Sequence, residues 1–268
     1  MDRHRVELGA VQETLLIPLY GRAVESRKKR PILSDPKAVE IVDSVDYDFG
    51  KFGGSRSLGG AVVRGMIFDH WVADFLSDHP HGTVVELGAG LNTRFDRLDN
   101  GRCHWIDLDL PDSMELRRQF FEPTARNQMV AGSVLETDWF EVVRQHPAPY
   151  FFVAEAVLMY LEESAVRDAL EQLGAEFSGA RIAFDTAGQS LHDAQTVALK
   201  NLRARFAWIA DDPRKLEPWG LRLLDSRTVA HPQRAVRAKL PVPLRLLLPL
   251  VARNNRAKSY RMNLFKLI

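Results

Sequence analysis

The sequence predicts an α/β fold: a seven-stranded, mostly parallel, doubly wound (Rossmann-like) sheet with a helical N-terminal extension and a helical lid. Three observations carry this prediction. The first 80 residues read as helices, whereas from His81 onward short apolar runs alternate with helical stretches. One of those runs, Val84-Val85-Glu86-Leu87, leads straight into Gly88-Ala89-Gly90. Strand, helix, strand in repetition implies parallel pairing with helices on both faces.

In chain order, residues 11–27 carry apolar side chains at helical spacing, and Ser34-Asp35-Pro36 is a helix start with proline in the first turn. A glycine-rich linker over 50–60 leads to a third helix over 61–76. Strands are expected at 83–87, 104–109, 128–131, 150–154 and 180–185, with later ones at 221–225 and 260–268. Helices fall at 91–98, 111–121, 138–145 and 162–177, and a longer one at 190–208. The apolar stretch 240–251, LPVPLRLLLPLV, carries Arg245 and three prolines. It is too short and too broken for a membrane span, which needs roughly 20 apolar residues. A buried or lid segment is expected there, with attachment to a hydrophobic ligand surface as the alternative.

Composition narrows the function classes. With 36 basic and 35 acidic residues, the chain offers no global field for nucleic acid or an anionic membrane, and neither is expected as a partner. A single cysteine, Cys103, excludes a disulfide framework and suits a reducing cytoplasm, the expected location. The first residues, MDRHRVELGA, lack the apolar core of a signal peptide. The eight histidines show no close metal-ligand spacing, so no metal is expected. A homodimer is compatible with the sequence, although no residue pattern specifies one.

The glycine loop points to a nucleoside ligand. Open parallel sheets bind ligands beyond the carboxyl ends of their strands. Glycine lets the backbone pass close to a ligand, and a following helix start offers free N–H groups. The next strand closes at Asp109, 21 positions beyond Gly88, where a carboxylate can accept from both hydroxyls of a ribose. A dinucleotide needs a third glycine for close helix packing under the pyrophosphate, and Thr93 stands there instead. Glu86, ahead of the loop, opposes a pyrophosphate and suits the cationic methionine end of S-adenosylmethionine. A glycine turn without a ligand is the bland alternative.

Four segments then resemble the leucine carboxyl methyltransferase superfamily, and within it the bacterial, tetracenomycin-type polyketide O-methyltransferases. They are Val11-Gln12-Glu13-Thr14 through Ser34-Asp35-Pro36-Lys37-Ala38; Val63-Arg64-Gly65; Glu86 through Thr93-Arg94-Phe95; and Ala154-Glu155-Ala156-Val157-Leu158-Met159-Tyr160-Leu161. Asp107-Leu108-Asp109-Leu110-Pro111 and Gly132-Ser133-Val134 fall between them in order. The resemblance implies a class I methyltransferase domain over 81–268 with a lid at 190–219, and an N-terminal extension over 1–80 that helps cover the active site.

It also implies roles. Arg64 pairs with the cofactor carboxylate, for which a guanidinium fork is well shaped. Gly88, Ala89 and Gly90 cradle the methionine moiety, and Asp109 takes the ribose, with Asp107 a weaker candidate. Glu155 lies near the cofactor's amino group or sulfonium, and Tyr160 beside the transfer site. Bland alternatives are a solvated arginine, a helix-start acid and a packing tyrosine. Where the family has an Asp-Leu pair at the adenine, this chain has Ser133-Val134, with Glu136 or Asp138 as possible compensation. Arg22, with Tyr20 beside it, is the N-terminal residue expected to reach the cofactor.

The reaction implied is methyl transfer from S-adenosylmethionine, leaving S-adenosylhomocysteine, to a carboxylate or phenolic oxygen of a small aromatic, polyketide-like acceptor. The alternatives are methylation of a protein's C-terminal carboxylate and a non-catalytic scaffold. A carboxylate acceptor requires no base, whereas a phenol would be helped by one such as His192 or His70. Trp208, with Trp219 and Phe206, makes either an aromatic wall for a flat acceptor or lid-to-body packing.

Overall fold

The computed structural model describes residues 12–52, 56–198 and 205–268. Val11 of the first motif and the stretch 199–204 of the expected lid lie outside the described residues. The sheet has seven strands in the order β3-β2-β1-β4-β5-β7-β6. β1 (Thr83–Leu87), β2 (His104–Asp109), β3 (Asn127–Ala131), β4 (Tyr150–Ala154) and β5 (Arg181–Ala187) pair in parallel. β7 (Tyr260–Leu267) runs antiparallel between β5 and β6 (Leu221–Arg227). The winding reverses between β1 and β4, which places the ends of those two strands at the ligand-binding crevice of such sheets.

Side-chain alternation sends each strand into two cores. On one face Val85, Leu87, Ile106, Phe152 and Ile182 meet Val166, Leu170 and Leu173 of α7 (Glu163–Glu176). On the other, Val84, Trp105, Phe151 and Val153 meet Ile67, Phe68, Val72 and Phe75 of α3 (Arg56–Asp78). Truncating one of these fully buried side chains to alanine costs about 2–5 kcal/mol. A third cluster packs α1 (Gln12–Ser26) on α2 (Pro36–Ser44) through Leu16, Leu19, Ala23 and Ile41, together with Leu91 of the glycine loop. The expected start of α2 is present: Asp35 caps it by accepting the Ala38 N–H at 2.9 Å, and Pro36 fills the first position.

Short helices connect the strands: α4 (Arg94–Leu98), α5 (Pro111–Arg117) and α6 (Phe140–Arg144) on the β1–β4 side. α8 (Gln189–Ala198) follows β5, and α9 (Arg234–Lys239), α10 (Val242–Val251) and α11 (Asn255–Ser259) lead into β7.

Three expectations are corrected. The linker 50–60 is partly helical, since Phe49–Phe52 forms a 3-10 turn and α3 begins at Arg56. The helix expected over 190–208 is shorter: the chain at 205–210 is non-helical and is tied by backbone bonds from Ala207 to Met159 and from Ala210 to Ala187, both 2.9 Å. The apolar stretch 240–251 is buried only at Leu240 and Leu248. It forms α10, with Leu248 packed into the second core and most other side chains exposed. Cys103 is buried and unpaired, and no described helix is long and apolar enough to cross a membrane.

Candidate functional site

The register of β1 beside β2 sets the loop. The N–H groups of Gly88 and Ala89 both donate to the Leu108 carbonyl, at 2.8 and 3.0 Å. The Gly90 N–H then meets Asp109 Oδ2 at 2.6 Å, while Asp109 Oδ1 accepts from Leu110 N–H at 2.8 Å. Gly88 and Gly90 take φ of +70° and +46°, a region that favours glycine. A Cβ at Gly88 would collide with Val157, and one at Gly90 would press on Leu15 at 2.8 Å. The loop therefore threads between α1 and the turn after β4, with no room for a side chain at Gly88 or Gly90.

Charged residues converge beside it. Arg64, on α3, donates from Nε to Glu155 Oε1 at 2.7 Å and from Nη1 to the Tyr260 hydroxyl at 2.9 Å. Arg94, the first residue of α4 and only 1% exposed, reaches three carboxylates. Its Nε bonds Asp69 at 2.8 Å, and its two terminal nitrogens bond Glu86 and Glu155. Arg97 adds two bonds to Asp69, of 2.9 and 3.0 Å. Burial disfavours each charge, but the arginines prevail at Asp69 and Glu155 and hold both below the ordinary carboxylate range. At Arg64 burial is outweighed by Tyr260, Glu155 and Asp185, which keep the guanidinium firmly charged.

Glu86 differs: burial outweighs Arg94 and raises its pKa. Its Oε1 is held by Arg94 and by Asn92, the latter at 2.9 Å. Its Oε2 is buried with no partner among the described residues. Glu86 thus has one oxygen engaged by Arg94 and Asn92, and Oε2 is left to accept.

Sequence reasoning missed Arg94, Asp69, Asp185 and Tyr260 as members of this group. Asp185, two residues before the end of β5, accepts from the Tyr260 hydroxyl and from the Ala156 N–H, the latter at 2.8 Å. Burial pushes its carboxyl up to about 6. Ala156 needs that bond, since its φ of +58° is left-handed, a conformation costing roughly 1–2 kcal/mol outside glycine. The turn so fixed presents Glu155. Tyr160 closes the 3-10 turn Leu158–Tyr160, half-buried, with its ring 5.4 Å from Phe206. Burial raises its phenol pKa, and the charges of Arg64 and Asp185 both act on it.

Other expected residues lie elsewhere. Asp107, on the same strand face as Asp109, is committed to the fold through Arg117 at 2.8 Å and the Trp105 indole at 3.2 Å. Arg22 is buried and ties α2 to the loop, bonding Asp35 at 2.8 Å and the Leu91 carbonyl at 2.9 Å. Tyr20 stacks on Phe49 at 5.0 Å. In the structure both are engaged in packing α1 against α2, the Leu91 carbonyl and Phe49. Thr93 donates to the same Asp35 at 2.5 Å, so the position that a dinucleotide loop gives to glycine is a structural tie here. Trp208 is 3% exposed, packed in the first core and 5.6 Å from Trp219, which makes it lid-to-body packing and not an acceptor wall. His192, on α8, has Asp193 at 3.7 Å, and His70 has Asp74 at 3.5 Å. Ser133 accepts the Leu135 N–H at 3.2 Å and donates its own N–H to Glu136 at 3.2 Å, while Val134 packs on the first core. Among the described residues no group of three or more histidine, cysteine or acidic side chains is placed to hold a metal.

These residues fit S-adenosylmethionine. The loop takes left-handed backbone at Gly88 and Gly90, where a side chain would clash, Glu86 Oε2 is an unsatisfied buried acceptor, and Arg64 and Glu155 set opposite charges side by side.

Comparison with known proteins agrees. In solved structures, the fold resembles a DUF574 family protein from Streptomyces avermitilis, with TM-score 0.61, 13% identity and 97% of this chain against all of that one. A protein from Thermobifida fusca gives 0.57 at 14% identity, covering 93% and 95% of the two chains. Among characterised sequences, the tetracenomycin polyketide synthesis O-methyltransferase TcmP of Streptomyces glaucescens is 32% identical over 79% of this chain and 80% of its own. The S-adenosyl-L-methionine-dependent methyltransferase dpfgK of Gibberella zeae is 27% identical over 86% of each. The family model described as leucine carboxyl methyltransferase matches residues 16–174, more than half of the chain. The protein belongs to the leucine carboxyl methyltransferase family, whose cofactor is S-adenosylmethionine.

Proposed function

We propose that this protein transfers the methyl group of S-adenosylmethionine to an oxygen of a small acceptor, a carboxylate or phenolic hydroxyl on an aromatic, polyketide-like compound. The pairing of Arg64 with Glu155 beside the glycine loop carries this reading. A methionine zwitterion matches it, with its carboxylate on the Arg64 guanidinium and its ammonium on Glu155 and Glu86 Oε2. Gly88, Ala89 and Gly90 pass beneath the methionine chain, Asp109 takes the ribose hydroxyls, and Ser133 and Val134 take the adenine.

The bound cofactor supplies an electrophilic methyl group on sulfur. The protein's share is alignment, since in-line displacement gains most from holding nucleophile, carbon and leaving group in register. A carboxylate acceptor is already ionised at neutral pH and needs no base. Tyr160, whose phenol burial keeps protonated, is suited to donate a hydrogen bond that orients the acceptor oxygen. For a phenolic acceptor, His192 on the lid helix is the candidate base. The similarity to TcmP supports a polyketide-like acceptor. The family's own description favours a second reading, a carboxylate at a protein C-terminus.

Calorimetry with S-adenosylmethionine, followed by assays on aromatic polyketide acids and phenols and on a peptide ending in leucine, separates these. Binding and turnover on a small aromatic acceptor are expected. No binding by folded protein contradicts the proposal. Turnover on the peptide alone favours the second reading, and binding without any turnover favours a scaffold.

A further inference from the structure

The near-neutral total charge hides a strong asymmetry. After Asp225 the chain carries ten basic residues and no acidic one, so the first 225 residues are net acidic. α10 stands in the middle of this basic segment. Of its ten residues, Val242, Leu244, Leu246, Leu247 and Leu250 are exposed, Leu246 by 75% and Leu250 by 64%, while Leu248 alone is buried, at 6%. Monomeric proteins rarely leave so many large apolar side chains together in water. Exposed arginines and lysines bracket the helix: Arg237 and Lys239 at the end of α9, Arg253 just after α10, and Arg256 in α11. None of these four forms an ion pair with a described carboxylate, unlike Arg27, Arg126 and Arg144 elsewhere on the surface.

We infer that α10 and its basic flanks form an interfacial docking surface for a bilayer containing anionic phospholipid. The leucines enter the headgroup–acyl boundary and the arginines and lysine lie against lipid phosphates. Two independent features select this occupant. An apolar helix about 15 Å long cannot span a hydrocarbon core of about 30 Å, but it can lie in its boundary. A collar of unpaired positive charge complements anionic headgroups, each basic residue near such a surface adding about fivefold in affinity. A second copy of this chain would bring one basic collar against another and is disfavoured by repulsion. The bulk-charge expectation of no membrane partner is revised because charge is segregated along the chain and not averaged over it. The helix also leads through α11 directly into Tyr260, so the docked segment lies one short helix from the Arg64 group.

The full-length protein is to be mixed with vesicles of phosphatidylcholine alone and of phosphatidylcholine with phosphatidylglycerol, and separated by flotation. Strong partitioning onto the anionic vesicles, weakened by salt within the range where screening grows, is expected. Leu246→Asp with Leu250→Asp should lower partitioning at least tenfold, and Arg237→Glu with Arg253→Glu should abolish the preference for phosphatidylglycerol. All four positions are exposed, so melting temperatures should remain unchanged, which shows that the variants fold. Failure of wild-type protein to float with anionic vesicles at low salt overturns the inference. So does a wild-type dimer in sedimentation that Leu246→Asp and Leu250→Asp dissolve.

Discussion

Around the ends of β1 and β4, Arg64 and Arg94 hold Glu86, Glu155 and Asp69 in a buried lattice braced by Tyr260 and Asp185. Beyond β3, where the adenine end is proposed, the chain offers a half-buried serine capping its own turn and the side chain of Val134 against the core. One end is built from charges that cannot be removed singly, because a buried ion stripped of its partner costs far more than the pair gains. The other is built from neutral groups close to solvent, where substitutions are cheap. On the proposed reading, specificity for a zwitterionic nucleoside resides in the methionine end, and the adenine end is free to vary.

The largest effect expected from breaking this contrast is Arg94→Met. It leaves the buried Glu86 without a cationic partner and removes one of the two arginines on Asp69 and on Glu155, which keep Arg97 and Arg64, and should lower the unfolding free energy by about 3–5 kcal/mol in chemical denaturation. A loss below 1 kcal/mol would mean that the lattice is not electrostatically interdependent.

Asp185 tests the same end by pH. Its carboxyl titrates at about 6 in the fold and near 3.9 in the unfolded chain. The fold therefore favours the neutral acid, and stability present below pH ~4 is lost as pH rises through about 6, by roughly 3 kcal/mol. Asp185→Asn removes this dependence, so the stability of wild type relative to the variant should fall by about that amount between pH 4 and 7. A pH-independent difference would show that Asp185 ionises freely.

Arg64→Met should weaken S-adenosylmethionine binding by ten- to about a hundredfold, the loss of a charge-assisted hydrogen bond of about 1.5–3 kcal/mol. Unaltered calorimetric affinity would remove Arg64 from the site. Ser133→Asp, restoring the acid usual in the resembling family, should tighten binding only a few-fold, about 1 kcal/mol, with repulsion from Glu136 working against it. A large gain there would mean that the adenine end is not the tolerant one.

The contrast also separates what the sequence reveals from what it hides. β1, β2 and β4 occupy the expected residues because each is a short apolar run closed by glycine, proline or acidic residues. The glycine loop and Asp109 are legible for the same reason: their chemistry is local. Arg94 stands out in the sequence only as part of a motif, since its partners Asp69 and Glu155 are set by packing of α3 and the β4 turn, not by spacing. Tyr260 and Asp185 meet across 75 residues of chain, which only the antiparallel register of β5 and β7 explains. Trp208 and α10 are left open by the sequence and resolve in opposite directions. The tryptophan, compatible with a binding surface or with packing, is core, whereas the apolar run, compatible with burial or with surface attachment, is mostly exposed.

The central claim, that the methionine end carries recognition, is tested most directly by calorimetry of two ligands on wild-type protein. S-adenosylhomocysteine has both ends, whereas 5′-methylthioadenosine keeps the nucleoside and lacks the amino-acid group. The lattice around Arg64 and Glu155 predicts that S-adenosylhomocysteine binds at least about a hundredfold more tightly. Equal affinities would place recognition at the adenine and ribose, and would contradict the claim.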